Sequence, residues 1–409
     1  MTTKTTERTG SSQPAGHALA LARRRLRPLA SQQPDEYLNG GLLDQPAAAL
    51  ATPALVLDLD RFEHNLKHMA DHCQRVGIGL RPHSKTHKCV EIAKRQLALG
   101  AVGVCCAKLG EAEAMIAGGV GRVLITAPLA STQAMTRAVR AAAAADDLIL
   151  VVDRADVAQR LNAIAATENV AVSVLLDLDP GLHRTGIEPG PAALALAQQL
   201  VAASHLRFRG LQMYAGHLMH IASFAERRSR CERVLASLRA FTRELAAVGI
   251  DCEIVSGGGT GSFDIDPDGG VFTELQAGSY AFMDRQYNSI EPCRGSTPPF
   301  FTALFVQTQV VSSNRPGLAT TDAGLKAFAT DDEAPPIHEG GPQGAAYFFF
   351  GDEQGGLRWD HDDRIEPGAW LRAVTPHCDP TVNLYDELHV VRGERLVDIW
   401  PIDARGRGA

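Results

Sequence analysis

Long apolar runs, paired cysteines and an excess of positive charge are all missing from this 409-residue chain. No run reaches the ~18 apolar residues that a membrane-spanning helix needs, so none is expected. The formal net charge of −7 excludes a general attraction to nucleic acid or to an anionic membrane surface. The eight cysteines show no Cys-x-x-Cys spacing, which favours reduced thiols in a cytoplasmic protein. The vicinal pair Cys105 and Cys106 is accordingly interpreted as filling a buried strand.

The first 45 residues differ in composition from the rest of the chain. They are rich in Thr, Ser and Gly and then turn into a basic amphipathic stretch, without the apolar segment of a secretory signal. We expect a flexible N-terminal extension over residues 1–45 that runs into a short helix.

After this extension, short apolar runs alternate with longer helical patterns. The strand candidates lie at residues 78–83, 102–106, 123–127, 148–152, 170–178, 208–214, 252–256 and 272–277. They are rich in Val, Ile and Leu without clean alternation, which is typical of strands covered on both faces. Eight strand–helix units predict a (β/α)8 TIM-type barrel over residues 46–288, with a doubly wound open sheet as the rival.

The pattern changes after residue 288 and predicts a mostly β second domain over residues 289–409. Strand-like segments occur at 302–311, 318–321, 345–350 and 370–374, followed by a hairpin of 388–391 and 395–400. No long helix is expected there. An early strand-like segment, 53–57, precedes a helical pattern at 60–75 and could belong to either domain.

Three polar segments follow predicted barrel strands, where the functional residues of such barrels lie. The first is Arg-Pro-His-Ser-Lys-Thr-His-Lys at 81–88, and the others are the Gly-, Ser- and Thr-rich loops 256–262 and 276–280. The loops after strands seven and eight are the usual phosphate site of these barrels, because glycines there let backbone N–H groups face an anion. A flexible glycine turn is the alternative reading of either loop alone.

A lysine at the end of the first barrel strand would face those phosphate donors across the barrel mouth. Partial desolvation lowers the pKa of such a lysine and lets it attack an aldehyde. This arrangement suits pyridoxal phosphate, which is anchored by its phosphate and joined to a lysine through its aldehyde carbon. The residues alone do not choose between Lys85 and Lys88.

Several blocks in the same order resemble the D-threonine aldolase and D-serine dehydratase-like family, whose fold is that of alanine racemase (fold type III). The resemblance runs from residues 52–54 to 404–406 and includes 81–88, 103–106, 256–262, 274–284, 322–326 and 376–384. It implies a pyridoxal-phosphate enzyme that acts on a small D-amino acid, with the cofactor on Lys85. It also implies that Arg184 reaches the cofactor ring or its O3′ and that Tyr214 packs near the ring. The phosphate would then be held by Gly258, Gly259, Thr260, Ser279 and Tyr280.

The second domain contributes His377 and Asp379, which would share one side if the segment were a strand. An imidazole and a carboxylate suit Mn²⁺, Mg²⁺ or Zn²⁺. The resemblance implies a metal site, most readily for Mn²⁺, because the aldolase branch carries His-x-Asp here and the dehydratase branch His-x-Cys. It also implies a homodimer in which the β domain of one chain lies near the barrel mouth of the other. His377 and Asp379 would then act across the interface.

The implied reaction is cleavage of a D-β-hydroxy amino acid, resembling D-threonine or 3-hydroxy-D-aspartate, to glycine and an aldehyde. His83, His87, His217 and His220 are candidate proton carriers, with His87 and His220 preferred. Ala107 and Gln354 depart from the common aldolase pattern and leave the substrate open. A dehydratase that releases a 2-oxo acid and ammonia, an amino-acid racemase and a non-catalytic cofactor carrier are the alternatives. The metal pair argues against the racemase, and the extra β domain argues against the carrier.

Overall fold

The computed structural model describes residues 38–292 and 297–409. The helix predicted in the N-terminal extension therefore lies outside the described residues. The part of the extension that is described rests on the C-terminal hairpin, where the Asp44 amide donates to the Leu396 carbonyl at 2.8 Å. Within the described ranges, no helix is both long and apolar enough to cross a bilayer.

The first described strand, β1 (Ala54–Asp58), belongs to the second domain and not to the barrel. It pairs antiparallel with a strand at Leu304–Arg315 and parallel with one at Glu387–Arg392. The predicted barrel range of 46–288 therefore begins too early. Helix α1 (Leu59–Val76) follows directly, capped by Asp58, whose carboxylate accepts the Arg61 amide, and ended by Gly77 in the left-handed conformation (φ 70°).

All eight predicted barrel strands are present and parallel. They are β2 (Gly79–Leu80), β3 (Val104–Cys106), β4 (Arg122–Ile125), β5 (Asp147–Val152), β6 (Val172–Asp177), β7 (Leu206–Met213), β8 (Ile254–Gly257) and β9 (Glu274–Leu275). Their order is β2-β9-β8-β7-β6-β5-β4-β3. A parallel bridge between His83 and Cys105 joins the two ends of this order. The barrel is therefore confirmed and the doubly wound alternative is wrong.

Helices cover the outside of the barrel. They are α2 (Val90–Ala98), α3 (Leu109–Ala117), α4 (Thr132–Ala142), α5 (Ala155–Glu168), α6 (Pro191–Ala202) and α7 (Phe224–Ala247). Because helices cover one face of the strands and the barrel interior the other, Val123, Leu124 and Ile125 in β4 are all fully buried. Cys105 and Cys106 are likewise free, buried thiols in β3, as the sequence predicts.

The second domain is a β sheet with two very short helices at its junction with the barrel. Its strands are β10 (Leu304–Arg315), β11 (Leu318–Thr321), β12 (Ile337–Glu339), β13 (Ala346–Phe349), β14 (Gly355–Arg358), β15 (Trp370–Val374), β16 (Glu387–Arg392) and β17 (Arg395–Pro401). The short helices are α8 (Arg285–Asn288) and α9 (Cys378–Val382). The sequence predicts this domain except for β12 and β14, which are short and Gly- or Glu-containing. Helix α9 carries the predicted metal ligands to the barrel.

Candidate active site

Lys85 lies at the barrel mouth, in the single turn Ser84–Thr86 that follows the first barrel strand. The turn is anchored from below, because the Ser84 hydroxyl donates to the Cys105 carbonyl at 2.8 Å. The Lys85 ammonium forms an ion pair and a hydrogen bond with the Asp379 carboxylate of the same chain. Burial alone would lower the pKa of Lys85, but Asp379 outweighs it and raises the pKa. The prediction that partial desolvation lowers the pKa of this lysine is therefore wrong.

Lys88 occupies a different environment from Lys85, although only three residues separate them. Its backbone is left-handed (φ 52°) and its carbonyl accepts the Ala404 amide at 2.9 Å, so the chain turns away from the mouth here. Its ammonium lies close to the Glu111 carboxyl. Burial raises the pKa of Glu111, and the charge of Lys88 offsets part of this rise. This geometry supports Lys85 and not Lys88 as the cofactor lysine.

The two glycine-rich loops meet beside Lys85. The Thr260 hydroxyl accepts the Tyr280 amide at 3.0 Å, and since an accepting hydroxyl keeps its own proton, it can still donate to an anion. Gly258 is left-handed (φ 70°), and a Cβ there would lie 2.3 Å from an Asp266 carboxylate oxygen. Among the described residues, the Ser279 hydroxyl has no hydrogen-bond partner. These free donors on glycine-rich backbone fit a phosphate group.

Tyr280 contributes to this loop through its backbone alone. Its ring is fully buried, and its hydroxyl accepts from Gln96 Nε2 at 3.1 Å, on the far side of the loop. Gly259 packs tightly against Met219, since a Cβ there would lie 2.6 Å from the Met219 sulfur. Its amide donates to the Ser262 hydroxyl at 3.2 Å.

Tyr214 and Arg184 form a further wall of the mouth. The Arg184 guanidinium lies over the Tyr214 ring, 5.5 Å from its centroid. Gly216 permits the ring position, because a Cβ there would lie 2.7 Å from Tyr214 Cε1. Burial raises the pKa of Tyr214, with Lys85 acting in the opposite direction, which places the phenol close to the lysine. An aromatic ring, a cation and a lysine together fit the ring and aldehyde of pyridoxal phosphate.

His377 and Asp379 lie at the start of helix α9, not on a strand as the sequence reasoning assumes. Strand β15 ends at Val374, His377 caps the helix, and Asp379 occupies its first turn. A proline follows Asp379, and proline is tolerated in a first turn because its missing N–H has no helical partner there. Cys378, between the two, is fully buried in the core, but its thiol donates to an Asp379 oxygen at 3.5 Å, so the prediction that it points away from both residues is wrong for Asp379.

An imidazole and a carboxylate at the barrel mouth fit a divalent cation that prefers nitrogen and oxygen ligands. In residues 38–292 and 297–409, His377 and Asp379 belong to no group of three His, Cys, Asp or Glu residues whose ligand atoms all lie within 4.8 Å of one another. The remaining coordination positions would therefore be left to water or substrate, as in an open catalytic site. Since Asp379 contacts Lys85 of its own chain, no subunit interface is needed to bring Asp379 to this lysine.

Of the candidate histidines, His220 and His83 both lie close enough to Lys85 and Asp379 for these charges to act on their pKa. For His220 the charge of His377 acts as well. The His220 ring lies 4.5 Å from the Tyr287 ring, and burial, followed by His377 and Lys85, lowers its pKa. His87 is fully buried in the barrel wall, where its Nδ1 accepts the Cys89 amide at 3.1 Å and burial lowers its pKa to about 4. His83 Nε2 pairs with the Thr126 hydroxyl at 3.1 Å.

His217 and the unusual residues lie farther from Lys85. His217 lines a separate cavity of about 310 Å³ with Asp179 and Arg230. Ala107 donates its amide to Glu111 at 2.7 Å just after β3, and Gln354 sits in the β13–β14 turn.

Two carboxylates at this site are not apparent from the sequence. Asp284 is fully buried and accepts the Tyr287 amide at 3.0 Å and the Cys378 amide at 2.9 Å, which fastens helix α9 to the last barrel loop. Asp331 lies 2.7 Å from His377 Nδ1. A capping aspartate before a short helix is the one signal that could have found Asp284, and the sequence holds no comparable signal for Asp331.

Comparisons with known proteins agree with this geometry. The family model for the alanine racemase N-terminal domain matches residues 57–286, and a putative serine dehydratase domain matches residues 303–391. The chain is 39% identical over 368 residues to D-threonine aldolase from Arthrobacter sp., covering 88% of this chain and 94% of that protein. It is 36% identical over 363 residues to 3-hydroxy-D-aspartate aldolase from Paracoccus denitrificans (strain Pd 1222), covering 88% and 93%.

A solved structure is similar over nearly the same extent. The crystal structure of D-threonine aldolase from Filomicrobium marinum matches with a TM-score of 0.86 and 39% identity. The match covers 89% of this chain and 98% of that one, so both domains and their arrangement are shared.

Proposed function

The chain belongs to the alanine racemase-like family, on matches that cover most of its length, and from this membership we propose that it is an aldolase. The substrate is a D-β-hydroxy amino acid, and the products are glycine and an aldehyde. Pyridoxal phosphate and a divalent metal, Mn²⁺ in the first place, are its cofactors. The enzyme works as a cytoplasmic homodimer.

One observation carries this proposal, namely the contact between the Lys85 ammonium and the Asp379 carboxylate. It brings the residue that would hold the cofactor next to a residue that would hold the metal. A substrate joined at its α-nitrogen near Lys85 would then have its β-hydroxyl within reach of His377 and Asp379. Cleavage of a Cα–Cβ bond needs this arrangement, because the β-hydroxyl must lose its proton while Cα receives the bonding electrons.

We assign the following roles to the residues of this chain. Lys85 would bear the cofactor, Arg184 and Tyr214 would hold its ring, and the loops of Thr260 and Ser279 would hold its phosphate. When bound, pyridoxal phosphate supplies an electron sink for Cα, and the metal supplies a Lewis acid for the β-oxygen.

His220 is the proton carrier that the geometry supports best. Burial lowers its pKa and so keeps the imidazole neutral near neutral pH, when a ring nitrogen can accept the β-hydroxyl proton. His87, the other preferred candidate, has its ring fully inside the barrel wall and Nδ1 occupied by a backbone amide. We therefore propose His220 for this role ahead of His87.

Turnover of a panel of D- and L-β-hydroxy amino acids, with product identification, tests the proposal. Glycine and an aldehyde from D-threonine, D-phenylserine or 3-hydroxy-D-aspartate support it. A 2-oxo acid with ammonia would instead support the dehydratase alternative. Inversion at Cα without bond cleavage would indicate a racemase, and no turnover with cofactor bound would indicate a carrier.

A further inference from the structure

Asp331 belongs to the β domain, in the loop that leads from β11 to β12. Its Oδ2 lies 2.7 Å from His377 Nδ1, a distance typical of a charge-assisted hydrogen bond. The side chain of Asp331 is half exposed and that of His377 is about a quarter exposed, so the pair sits at the open edge of the site.

The loop that carries Asp331 is fixed on both sides of this residue. Before it, the Ala329 amide donates to the Thr381 hydroxyl at 3.0 Å, and this hydroxyl donates to the His377 carbonyl at 2.7 Å. After it, Asp332 accepts two hydrogen bonds of 2.8 Å from the Arg285 guanidinium. The loop is therefore tied to the same helical turn that presents His377.

A histidine that binds a metal uses one ring nitrogen and must satisfy the N–H on the other. A carboxylate that accepts this N–H fixes the tautomer and the ring orientation and makes the ligating nitrogen more basic. Asp331 meets His377 in this way through Nδ1. It does not complete a ligand set itself, because among the described residues the ligand atoms of Asp331, His377 and Asp379 do not all three lie within 4.8 Å of one another.

We propose that Asp331 is a positioning residue for the metal site. It accepts the Nδ1–H of His377 and so leaves Nε2 to bind the divalent cation. This inference rests on the proposed function, since it presumes that His377 binds metal. In this proposal Asp331, which comes from a third segment of the chain, acts on the metal site through His377 and touches neither the metal nor the substrate.

Binding of Mn²⁺ to the full-length protein, followed by the electron paramagnetic resonance signal of free Mn²⁺, tests this without any turnover. Asp331→Ala should weaken Mn²⁺ binding about 10- to 100-fold, as loss of an outer partner of a ligating histidine does. Asp331→Asn should recover part of this loss, because its amide oxygen can still accept the Nδ1–H. The matched control is Glu333→Ala, which removes the same charge from an exposed position in the same loop and should leave binding within about threefold of wild type.

The same Mn²⁺-binding experiment in a His377→Ala background distinguishes a positioning role of Asp331 from a general effect of its negative charge. There Asp331→Ala should cause no further loss, whereas a full additional loss would overturn the proposal. Equal binding by Asp331→Ala and Glu333→Ala would also overturn it, while leaving the metal-dependent function intact. If wild type binds no Mn²⁺, or His377→Ala binds it as well as wild type, the metal site itself is refuted. Retained cofactor absorbance in each variant shows that the barrel is folded.

Discussion

Replacement of Asp266 by asparagine should remove a pH dependence from the stability of this protein. Asp266 is buried beneath the glycine-rich loop 256–262, where one of its oxygens accepts the Ser262 hydroxyl at 2.5 Å. Burial raises the pKa of its carboxyl from 3.8 to about 7. The carboxyl therefore remains protonated in the folded chain over a pH range in which it is ionised in the unfolded chain.

The sign and the size of this pH dependence follow from the linkage between proton binding and folding. A folded pKa above the unfolded one stabilises the fold at low pH, and this contribution is lost as the pH rises from about 4 to about 7. The loss is about 1.4 kcal/mol for each pH unit, so it reaches about 3 kcal/mol between about pH 5 and pH 7. Asparagine does not ionise, so Asp266→Asn should gain this amount relative to wild type over the same interval.

Urea unfolding of both proteins between about pH 5 and pH 8 measures this difference. The stability of Asp266→Asn minus that of wild type should rise up to about pH 7 and then level off. Asp268→Asn, two residues further on and about half exposed, controls for the loss of one negative charge. A stability difference between Asp266→Asn and wild type that stays constant across this pH range would show that Asp266 does not have a raised pKa in the folded chain.

A second readout links the same carboxyl to function. Asp266 lies directly beneath Gly258 in the proposed phosphate loop, so its ionisation places a negative charge below the cofactor phosphate. Pyridoxal phosphate should therefore bind wild type more weakly than Asp266→Asn above about pH 7, and about equally below that pH.

Three further predictions concern the site and its support. Lys85→Ala should abolish the visible absorbance of bound pyridoxal phosphate, whereas Lys88→Ala should keep it; a retained band in Lys85→Ala would contradict the choice of lysine. Chelation with EDTA should stop turnover and added Mn²⁺ should restore it, and full activity in EDTA would remove the metal from the reaction. Glu274→Gln should cost about 3–5 kcal/mol of unfolding free energy, because it leaves buried Arg81 without its ion-pair partner. Replacing Arg81 by Met and Glu274 by Leu together should recover much of that loss, and equal stability of the single and double variants would contradict this explanation.

Local sequence patterns were sufficient to predict the barrel strands. Strands such as β5 and β6 read as short runs of Val, Ile and Leu because both of their faces are covered, which is a property of each segment by itself. The assignment of β1 could not be made in this way, because its partners lie some 250 to 330 residues later in the chain. The amino-acid composition of a strand does not identify a partner strand that lies so far away in the sequence.

In the candidate site, too, local sequence predicts some features and long-range contacts decide others. Residues 81–88 and the two glycine-rich loops carry their chemistry in their own composition, and resemblance to a family singled out Lys85 among the lysines. The strand assumed for His377 and Asp379 was wrong, because the two residues lie at the start of helix α9 and a His-x-Asp spacing by itself does not distinguish a strand from a helix start. The preference for His87 came from the resemblance to a family, and neither the resemblance nor the local sequence records that its ring is fully buried and accepts the Cys89 amide.

By itself, then, the sequence determined the elements, their order and the chemical character of each loop, since these depend on neighbours along the chain. The tertiary structure decided which of these groups meet. Lys85 and Asp379 are 294 residues apart and form an ion pair only because helix α9 folds over the barrel mouth. Asp331 reaches His377 only because its loop is tied to the same helix through Thr381. Contacts of this kind depend on the distance between folded elements, which no local pattern records.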